Sequence, residues 1–360
     1  RAKMTVKSVV VMAGGTGGHV FPALAVAQHL SQQGINIHWL GTKNGIEADI
    51  VPKNGFDISY LEVQGVRGQG IARLLFAPFK ILLAVIAAMK VLRAVKADCV
   101  IGLGGYVTGP GGVAARLLGK PLIIHEQNAV AGFTNKQLAN IATQVLQAFP
   151  AAFPASPKVT TTGNPVRPVI ANLALPEQRY GQRSGALQVL ILGGSQGAVA
   201  LNELVPDALA ILSKEHALTI RHQTGKKQVE VTQQRYKNLG ISDANVQPFI
   251  NDMAEAYGWA DLVICRSGAL TVSELAAAGV ASVLVPYPHA VDDHQTANGR
   301  YLSDEGAAIL CQQASLTAEN LAQTLKPLLS RPKLLQMANI ARKLAQPKAT
   351  ATVAQFCLRS

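Results

Sequence analysis

The 360-residue sequence predicts an α/β protein of two similar domains, each built on a doubly wound parallel sheet. Three observations lead to this prediction. Short apolar, β-branched strands alternate with helical stretches along the whole chain, which is typical of parallel sheets covered on both faces. The same strand and glycine turn opens each half, at residues 14–18 and again at 193–197. The length suits two domains of about 100–200 residues each.

The two glycine turns have the sequences GGTGG and GGSQG, and each follows an apolar strand and precedes a helical stretch. Such a unit gathers backbone N–H groups around a small volume that suits an anion, although a tight turn without ligand is the alternative for either one alone. The first turn lacks the third glycine of a dinucleotide fingerprint, and neither turn continues as a P-loop. A third glycine cluster, at 102–112, also follows a strand and favours a ligand site.

The strands of the first half are predicted from apolar runs separated by helical stretches such as 23–32 and 71–95. They are residues 9–13, 35–40, 58–63, 99–103, 122–125, 144–148 and 158–161. The second half repeats the alternation. Its predicted strands are residues 187–192, 218–222, 246–249, 262–265, 282–285 and 308–311.

The domain junction is predicted at the GNPVR sequence of residues 163–167, because Gly and Pro interrupt both patterns there. Pro347 marks a second crossing, which lets a last helix over 349–357 return to the first domain. The predicted domains are therefore 1–166 together with 348–360, and 167–347.

The net charge of +12 is concentrated in the first half. Residues 1–166 hold 15 Lys and Arg against 6 Asp and Glu, a net +9, whereas residues 167–360 hold 18 against 15, a net +3. An anionic membrane or a phosphorylated substrate accounts for this excess; nucleic acid ranks last, because no nucleic-acid-binding motif is present. The four cysteines have no metal-ligand spacing and are expected to be buried thiols of a reducing compartment.

One helical segment, residues 74–89, is apolar on nearly every side, and basic residues follow it at Lys90, Arg93 and Lys96. It is too short to span a bilayer, which takes about 20 residues. Either it is buried all round, or part of it meets lipid while the basic residues lie at headgroup level. The charge imbalance favours peripheral membrane contact.

Polar clusters fall at the carboxyl ends of the predicted strands, where open α/β sheets bind their ligands. They are His19, the HEQN of residues 125–128, the RSGALTVSE of 266–274 and the DDHQTAN of 292–298. Together with GGTGGHVFPALA, GLGGYVTGPGG, GNPVR and GGSQGA, these collinear motifs closely resemble the MurG family of bacterial lipid I N-acetylglucosaminyltransferases. The resemblance covers essentially the whole chain.

This resemblance implies a GT-B type fold, two Rossmann-like domains facing across a cleft, and an inverting transfer without a cofactor. UDP-N-acetylglucosamine (UDP-GlcNAc) would glycosylate the MurNAc 4-hydroxyl of undecaprenyl-pyrophosphoryl-MurNAc-pentapeptide (lipid I), giving lipid II for peptidoglycan synthesis. The first domain would bind the acceptor and the membrane, and the second the donor. The implied donor contacts are Thr16, Gly17, Gly18, Asn128, Arg167, Ser195, Ile250, Ala269, Leu270, Thr271, Val272, Ser273, Glu274 and Gln295.

The residue types suit these roles. Glu274 can accept two hydrogen bonds from a ribose diol, and Gln295 can both donate to and accept from sugar hydroxyls. The Ile250 side chain is expected to pack beside backbone groups that read uracil. No metal-binding Asp-x-Asp cluster is found in a suitable place, so backbone amides of residues 195–197 and the helix beginning near 267–270 are expected to hold the diphosphate.

His19 is the predicted general base, because an imidazole titrates near neutral pH and a helix N-terminus would hold it neutral. Glu126 is the second choice, and a role in orienting substrate is the alternative for His19. Asn128 and Arg167 are predicted to align substrates, with a hinge role as the alternative for Arg167.

Three functions are distinguished: the lipid-linked transferase, another GT-B enzyme that uses UDP-GlcNAc (a 2-epimerase or a transferase with a different acceptor), and a non-catalytic membrane scaffold. The HEQN and GLGGYVTGPGG motifs favour the first. The resemblance also implies a peripheral location on the cytoplasmic face of the inner membrane. Cell-wall synthesis and division proteins are expected partners, with roles in cell shape and the cell cycle.

Overall fold

The computed structural model describes residues 6–62, 71–193 and 198–359. The chain divides into two compact units, Arg1–Arg167 with Gln346–Ser360, and Pro168–Ala345. The chain passes from the first unit to the second after Arg167, one residue later than predicted. It returns to the first unit after Ala345, two residues earlier than predicted. Arg167 therefore belongs to the first unit.

The first unit contains a seven-stranded sheet in the order β3-β2-β1-β4-β5-β6-β7, and all of its strand pairs are parallel. The strands are β1 (Ser8–Met12), β2 (Asn36–Gly41), β3 (Asp57–Tyr60), β4 (Cys99–Gly102), β5 (Leu122–Glu126), β6 (Gln144–Gln147) and β7 (Val159–Thr161). Each lies where the sequence predicts a strand. β1 is buried along its whole length, as its continuous apolar run indicates.

The helices of the first unit are α1 (Gly17–Ser31), α2 (Glu47–Lys53), α3 (Ile71–Ala94), α4 (Thr108–Leu117) and α5 (Phe133–Ile141). The predicted start of α1 at residue 23 is wrong, since the helix begins at Gly17. Glycine is a poor helix former, so the sequence pattern starts only at the alanine-rich run. Thr16 is the extended N-cap residue, and Gly17 and Gly18 form the first helical turn.

The second unit contains a six-stranded parallel sheet in the order β10-β9-β8-β11-β12-β13. The strands are β8 (Leu187–Leu192), β9 (Leu218–Gln223), β10 (Asn245–Gln247), β11 (Leu262–Cys265), β12 (Ala281–Leu284) and β13 (Ala308–Leu310). All six coincide with predicted strands. The predicted fold class, two doubly wound parallel-sheet domains, is confirmed.

Helices cover this second sheet as well. They are α6 (Pro168–Ala171), α7 (Pro176–Gly181), α8 (Val199–Leu212), α9 (Val229–Asn238), α10 (Met253–Trp259), α11 (Ala269–Ala278), α12 (His294–Ser303), α13 (Ala318–Leu325) and α14 (Arg331–Lys343). Gly279 ends α11 in the left-handed conformation, with φ of 63°, as a C-terminal glycine commonly does.

The last helix, α15 (Ala349–Arg359), returns to the first unit as predicted. It packs against α1 and β4, and its side chains Val353, Ala354 and Cys357 are at most 1% exposed in the core that α1 shares with β1 and β2. A separate core on the other face of the sheet holds residues of α3, α4 and α5. The four cysteines are free thiols, and all but Cys311 are buried.

The strand order reverses once in each sheet, between β1 and β4 and between β8 and β11. Chain segments leave the two neighbouring strands in opposite directions at such a point, so a crevice opens at their carboxyl ends. The first glycine turn follows β1, and the 102–112 cluster follows β4. This topology brings the two glycine clusters of the first unit together.

Helix α3 has one buried stripe and one exposed apolar face. Ala84, Val85, Ala88 and Leu92 are buried in the core beside α4. The exposed apolar side chains are Phe79, Ile81, Leu82, Leu83 and Ile86, each 42–60% exposed. The interpretation that the segment is buried all round is therefore wrong. Within the described ranges, no helix is both long enough and apolar enough to cross a bilayer.

Candidate active site

A buried carboxylate supports the first glycine turn from behind. Glu47, the first residue of α2, is fully buried. Its Oε2 accepts a hydrogen bond from the Gly15 N–H at 2.9 Å. Its Oε1 accepts from the Thr42 N–H at 2.8 Å and from the Thr42 hydroxyl at 2.7 Å. A Cβ on Gly14 would contact this carboxylate at 2.5 Å. The absence of a side chain at Gly14 therefore makes room for the Glu47 carboxylate.

The glycine cluster after β4 packs directly against the same turn. The Gly14 N–H donates to the Gly104 carbonyl at 3.2 Å. Gly104 and Gly105 have φ of 116° and 90°, a region that favours glycine. A Cβ on Gly104 would clash with the His19 ring, and one on Gly105 with the Gly14 backbone. These two glycines therefore serve close packing around His19.

His19 lies in the first turn of α1 and is partly exposed. Its Nδ1 lies 3.1 Å from Oε1 of Gln127, which follows β5. Gln127 Nε2 in turn lies 3.2 Å from both the carbonyl oxygen and the ring Nδ1 of His125. The His125 ring is fully buried, which lowers its pKa, and its Nε2 lies 3.0 Å from the Gly163 carbonyl oxygen. A chain of polar groups thus runs from His19 into the sheet.

Glu126 is held by four donors. Its Oε1 accepts from the N–H and side-chain amide of Asn128 at 2.9 and 3.2 Å, and its Oε2 accepts from the Gly132 N–H and Asn135 Nδ2 at 3.0 and 2.8 Å. The carboxylate is 3% exposed. This arrangement fixes the loop after β5, so the geometry favours His19 over Glu126 as a proton acceptor.

The remaining sequence-predicted residues of the first unit lie close to the same turn. Thr16 and Gly18 are exposed at the N-terminus of α1. The Arg167 guanidinium carbon lies 5.9 Å from the centroid of the Phe21 ring, and a Cβ on Gly17 would contact that ring at 2.9 Å. Arg167 therefore adds a cation near the start of α1.

In the second unit, the predicted Ser195 falls outside the described residues. The loop after β11 is tied to the start of α12: Ser267 Oγ donates to the Gln295 carbonyl at 2.7 Å, and Asn298 Nδ2 lies 3.3 Å from the Ser267 carbonyl. Gln295 Oε1 accepts the Tyr287 N–H at 2.9 Å. This contact distinguishes the oxygen end of the Gln295 amide from its NH₂ end.

Glu274 lies on α11 and is 6% exposed, with its Oε2 accepting from the Tyr257 hydroxyl at 3.1 Å. The helix begins at Ala269, within the predicted start at residues 267–270, with Gly268 as its N-cap. The sequence-predicted residues Ala269, Leu270, Thr271, Val272 and Ser273 therefore form its first turns, at the carboxyl edge of the sheet. Ile250 is buried after β10, which agrees with a packing role for its side chain.

Sequence reasoning missed Glu47 and Gln127. Glu47 lies in no motif, and only the folded structure shows its contacts with Gly15 and Thr42. Gln127 lies inside the HEQN motif, but only the folded geometry selects it as the partner of His19. No group of three His, Cys, Asp or Glu side chains with metal-binding geometry occurs in the part of the chain that the structure describes.

Two family models match the chain: the N-terminal domain of glycosyltransferase family 28 over residues 9–147 and its C-terminal domain over 188–353. A protein of Acinetobacter baylyi is 56% identical over 96% of this chain and 95% of its own length. One of Marinobacter nauticus is 52% identical over 98% and 97%. Both are named UDP-N-acetylglucosamine–N-acetylmuramyl-(pentapeptide) pyrophosphoryl-undecaprenol N-acetylglucosamine transferase. The crystal structure of Acinetobacter baumannii MurG has a TM-score of 0.87 and 52% identity, covering 98% of this chain and all of the other.

Proposed function

The chain belongs to the family of UDP-N-acetylglucosamine–N-acetylmuramyl-(pentapeptide) pyrophosphoryl-undecaprenol N-acetylglucosamine transferases, and on this basis we propose how its residues perform the transfer. The protein is a GT-B type glycosyltransferase. It moves N-acetylglucosamine from UDP-GlcNAc to lipid I, the lipid-linked MurNAc-pentapeptide, and forms lipid II for peptidoglycan synthesis.

His19 is the general base of this reaction. Its ring is partly exposed at the strand-order reversal of the first unit, with Nδ1 engaged by Gln127. The contact between His19 Nδ1 and Gln127 supports the role of base. A neutral imidazole whose Nδ1 donates a hydrogen bond keeps a lone pair on Nε2, which can accept a proton. Nε2 takes the proton of the MurNAc 4-hydroxyl as that oxygen attacks the anomeric carbon and UDP leaves with inversion.

The donor is held through backbone dipoles and a few polar side chains. The N-terminus of α11 and the turn after β8, including Ser195, stabilise the diphosphate as its negative charge grows. Glu274 accepts from the ribose hydroxyls, and the Gln295 NH₂ group donates to the sugar. Thr16, Gly17, Gly18, Asn128 and Arg167 supply the further donor contacts that the family resemblance implies.

The exposed face of α3 is the membrane-contact surface of the acceptor unit. Its apolar residues are flanked by the exposed Lys80, Lys90 and Arg93, which suits an interface with anionic headgroups. The protein then binds peripherally to the cytoplasmic face of the inner membrane, where cell-wall synthesis and division proteins are its partners. This location gives it access to a polyprenyl-linked acceptor.

The decisive experiment is sugar transfer from labelled UDP-GlcNAc to a lipid I analogue. We expect labelled lipid that depends on both substrates. Epimerised UDP-sugar with unlabelled lipid would favour the 2-epimerase alternative, and labelled product with another acceptor alone would favour a different transferase. A protein that binds both substrates without turnover would support the scaffold alternative.

A further inference from the structure

The side chain of Gln127 has its two ends fixed by different partners. Its Nε2 faces two acceptor sites of His125, the backbone carbonyl oxygen and the ring Nδ1, each at 3.2 Å. Reversing the amide would place Oε1 against that carbonyl oxygen, leaving two acceptors in contact without a proton between them. The amide therefore presents Oε1, and not its NH₂ group, to His19.

The orientation of Gln127 is anchored through His125. A carbonyl oxygen only accepts, so the His125 Nε2 at 3.0 Å from the Gly163 oxygen carries a proton. Burial keeps the His125 ring neutral, so its Nδ1 is an acceptor for Gln127. Each hydrogen bond in this network then has one donor and one acceptor: His19 donates to Gln127, Gln127 donates to His125, and His125 donates to Gly163.

We propose that Gln127 is a positioning residue that fixes the His19 ring in the Nδ1–H tautomer and thereby keeps the Nε2 lone pair for the acceptor hydroxyl. Within the described ranges, Gln127 is the one hydrogen-bond partner of the His19 ring. The absence of a side chain on Gly104 leaves room for the ring in this position. The inference rests on the proposed role of His19 as the base.

The matched variants are Gln127→Met and Gln147→Met. Methionine keeps the length and shape of glutamine but offers neither amide group. Gln147 lies on the neighbouring strand β6, is equally buried, and bonds Phe153 and Thr161 rather than a histidine. If losing a buried amide merely disturbs the fold, both variants should lose activity. If the amide positions the His19 ring, only Gln127→Met should change the His19 tautomer and kcat.

The first readout is the protonation of the His19 ring nitrogens. The full-length protein, labelled with ¹⁵N-histidine, is studied by two-bond ¹H–¹⁵N correlation at about pH 8, where an ordinary imidazole is neutral. The His19→Ala spectrum identifies the signals of His19. We expect the proton on Nδ1 in the parent and in Gln147→Met, and a shift toward Nε2 in Gln127→Met. A proton on Nε2 of the unaltered protein overturns the proposal without the need for any variant.

The second readout is kinetic. We expect kcat of Gln127→Met to fall about 10–100-fold, since a base in the wrong tautomer loses most of its contribution, with KM for UDP-GlcNAc within about twofold of the parent. An unchanged kcat and tautomer in Gln127→Met overturns the inference while His19→Ala remains inactive. Full activity of His19→Ala would instead refute the role of His19 as the base, even if the unaltered protein carries its His19 proton on Nδ1.

Discussion

The Glu47 carboxylate and the Gly15 backbone N–H lie 2.9 Å apart, although 32 residues separate them along the chain. Because Glu47 occupies this N–H, we expect a substrate anion at the first turn to contact the N–H groups at the start of α1 and the Arg167 guanidinium. The first turn therefore differs from an anion site with free N–H groups, although its sequence resembles that of residues 193–197.

Removing the Glu47 carboxylate should destabilise the first unit. Glu47→Ala leaves three donors without their acceptor and opens a void among Gly14, Gly41 and Gly45. We expect the free energy of unfolding to fall by about 3 kcal/mol or more, as for other buried hydrogen-bonded charges. Urea denaturation measures the change.

The control is Asp49→Ala on the same helix. Asp49 forms an exposed pair with Lys53 four residues along, and such pairs contribute about 0.5 kcal/mol or less. Equal effects of the two variants would mean that the Glu47 contacts add nothing specific.

Replacement of His19 should separate turnover from donor binding. We expect His19→Ala to lower kcat by about 10²–10⁴-fold, the usual contribution of a general base, with nearly parental affinity for UDP-GlcNAc. Initial rates and calorimetric titration measure the two quantities. His216→Ala, on the loop after α8, is the control; near-normal turnover of His19→Ala would place the base elsewhere.

Glu274 should act on donor affinity. We expect Glu274→Gln to raise the Kd for UDP-GlcNAc about 10–100-fold, because a hydrogen bond to a charged group contributes about 1.5–3 kcal/mol. Glu255→Gln, at an exposed carboxylate on α10, is the matched control and should leave Kd unchanged. A loss of kcat without a change in Kd would argue against the ribose contact.

The apolar face of α3 should govern binding to vesicles. The double variant Leu82→Ser, Leu83→Ser removes about 1 kcal/mol of transfer free energy per residue, so we expect at least about tenfold weaker co-sedimentation. Val231→Ser, at an exposed apolar residue of α9, is the control. Lys90→Glu with Arg93→Glu should weaken binding only to anionic vesicles. Equal binding of the unaltered protein to anionic and neutral vesicles would contradict the role of the basic residues.

Acid should weaken the second unit through His222. Burial against Asn202 and Tyr236 lowers the pKa of this histidine to about 3, whereas an unfolded histidine titrates near 6.5. The unfolded state therefore binds more protons between these values, and stability falls as the pH falls through that window. At pH 5 the loss relative to pH 7 is about 2 kcal/mol.

Urea midpoints at pH 7 and pH 5 measure this dependence. His222→Gln removes the titrating group, so the drop between the two pH values should shrink by about the same 2 kcal/mol. His289→Gln, at an exposed histidine, should keep the parental drop. An unaltered drop in His222→Gln would assign the acid sensitivity to other groups.

The thirteen strands of the described ranges follow from the sequence because buried parallel strands are continuous apolar runs, which stand out from helices and glycine turns. The domain crossings were predicted to within two residues, because Gly and Pro interrupt the strand and helix patterns there. The start of α1 does not follow, since the topology demands a helix at Gly17 where intrinsic propensity opposes one. The roles of His19, Glu126 and Glu274 stay predictions, but these residues were recognisable by residue type and motif. Gln127 and Glu47 were not, because their importance comes from contacts across 108 and 32 residues of chain.

The return of α15 has a consequence for synthesis on the ribosome. The core around β1 needs Val353, Ala354 and Cys357, which are synthesised after the last residue of the second unit. The second unit has all of its residues by Ala345, so it can complete its core before the first unit does. We therefore expect the N-terminal unit to complete its core last, opposite to the usual order in which the N-terminal domain folds first. The first unit without α15 is then the incompletely folded species to which chaperones would bind on the nascent chain.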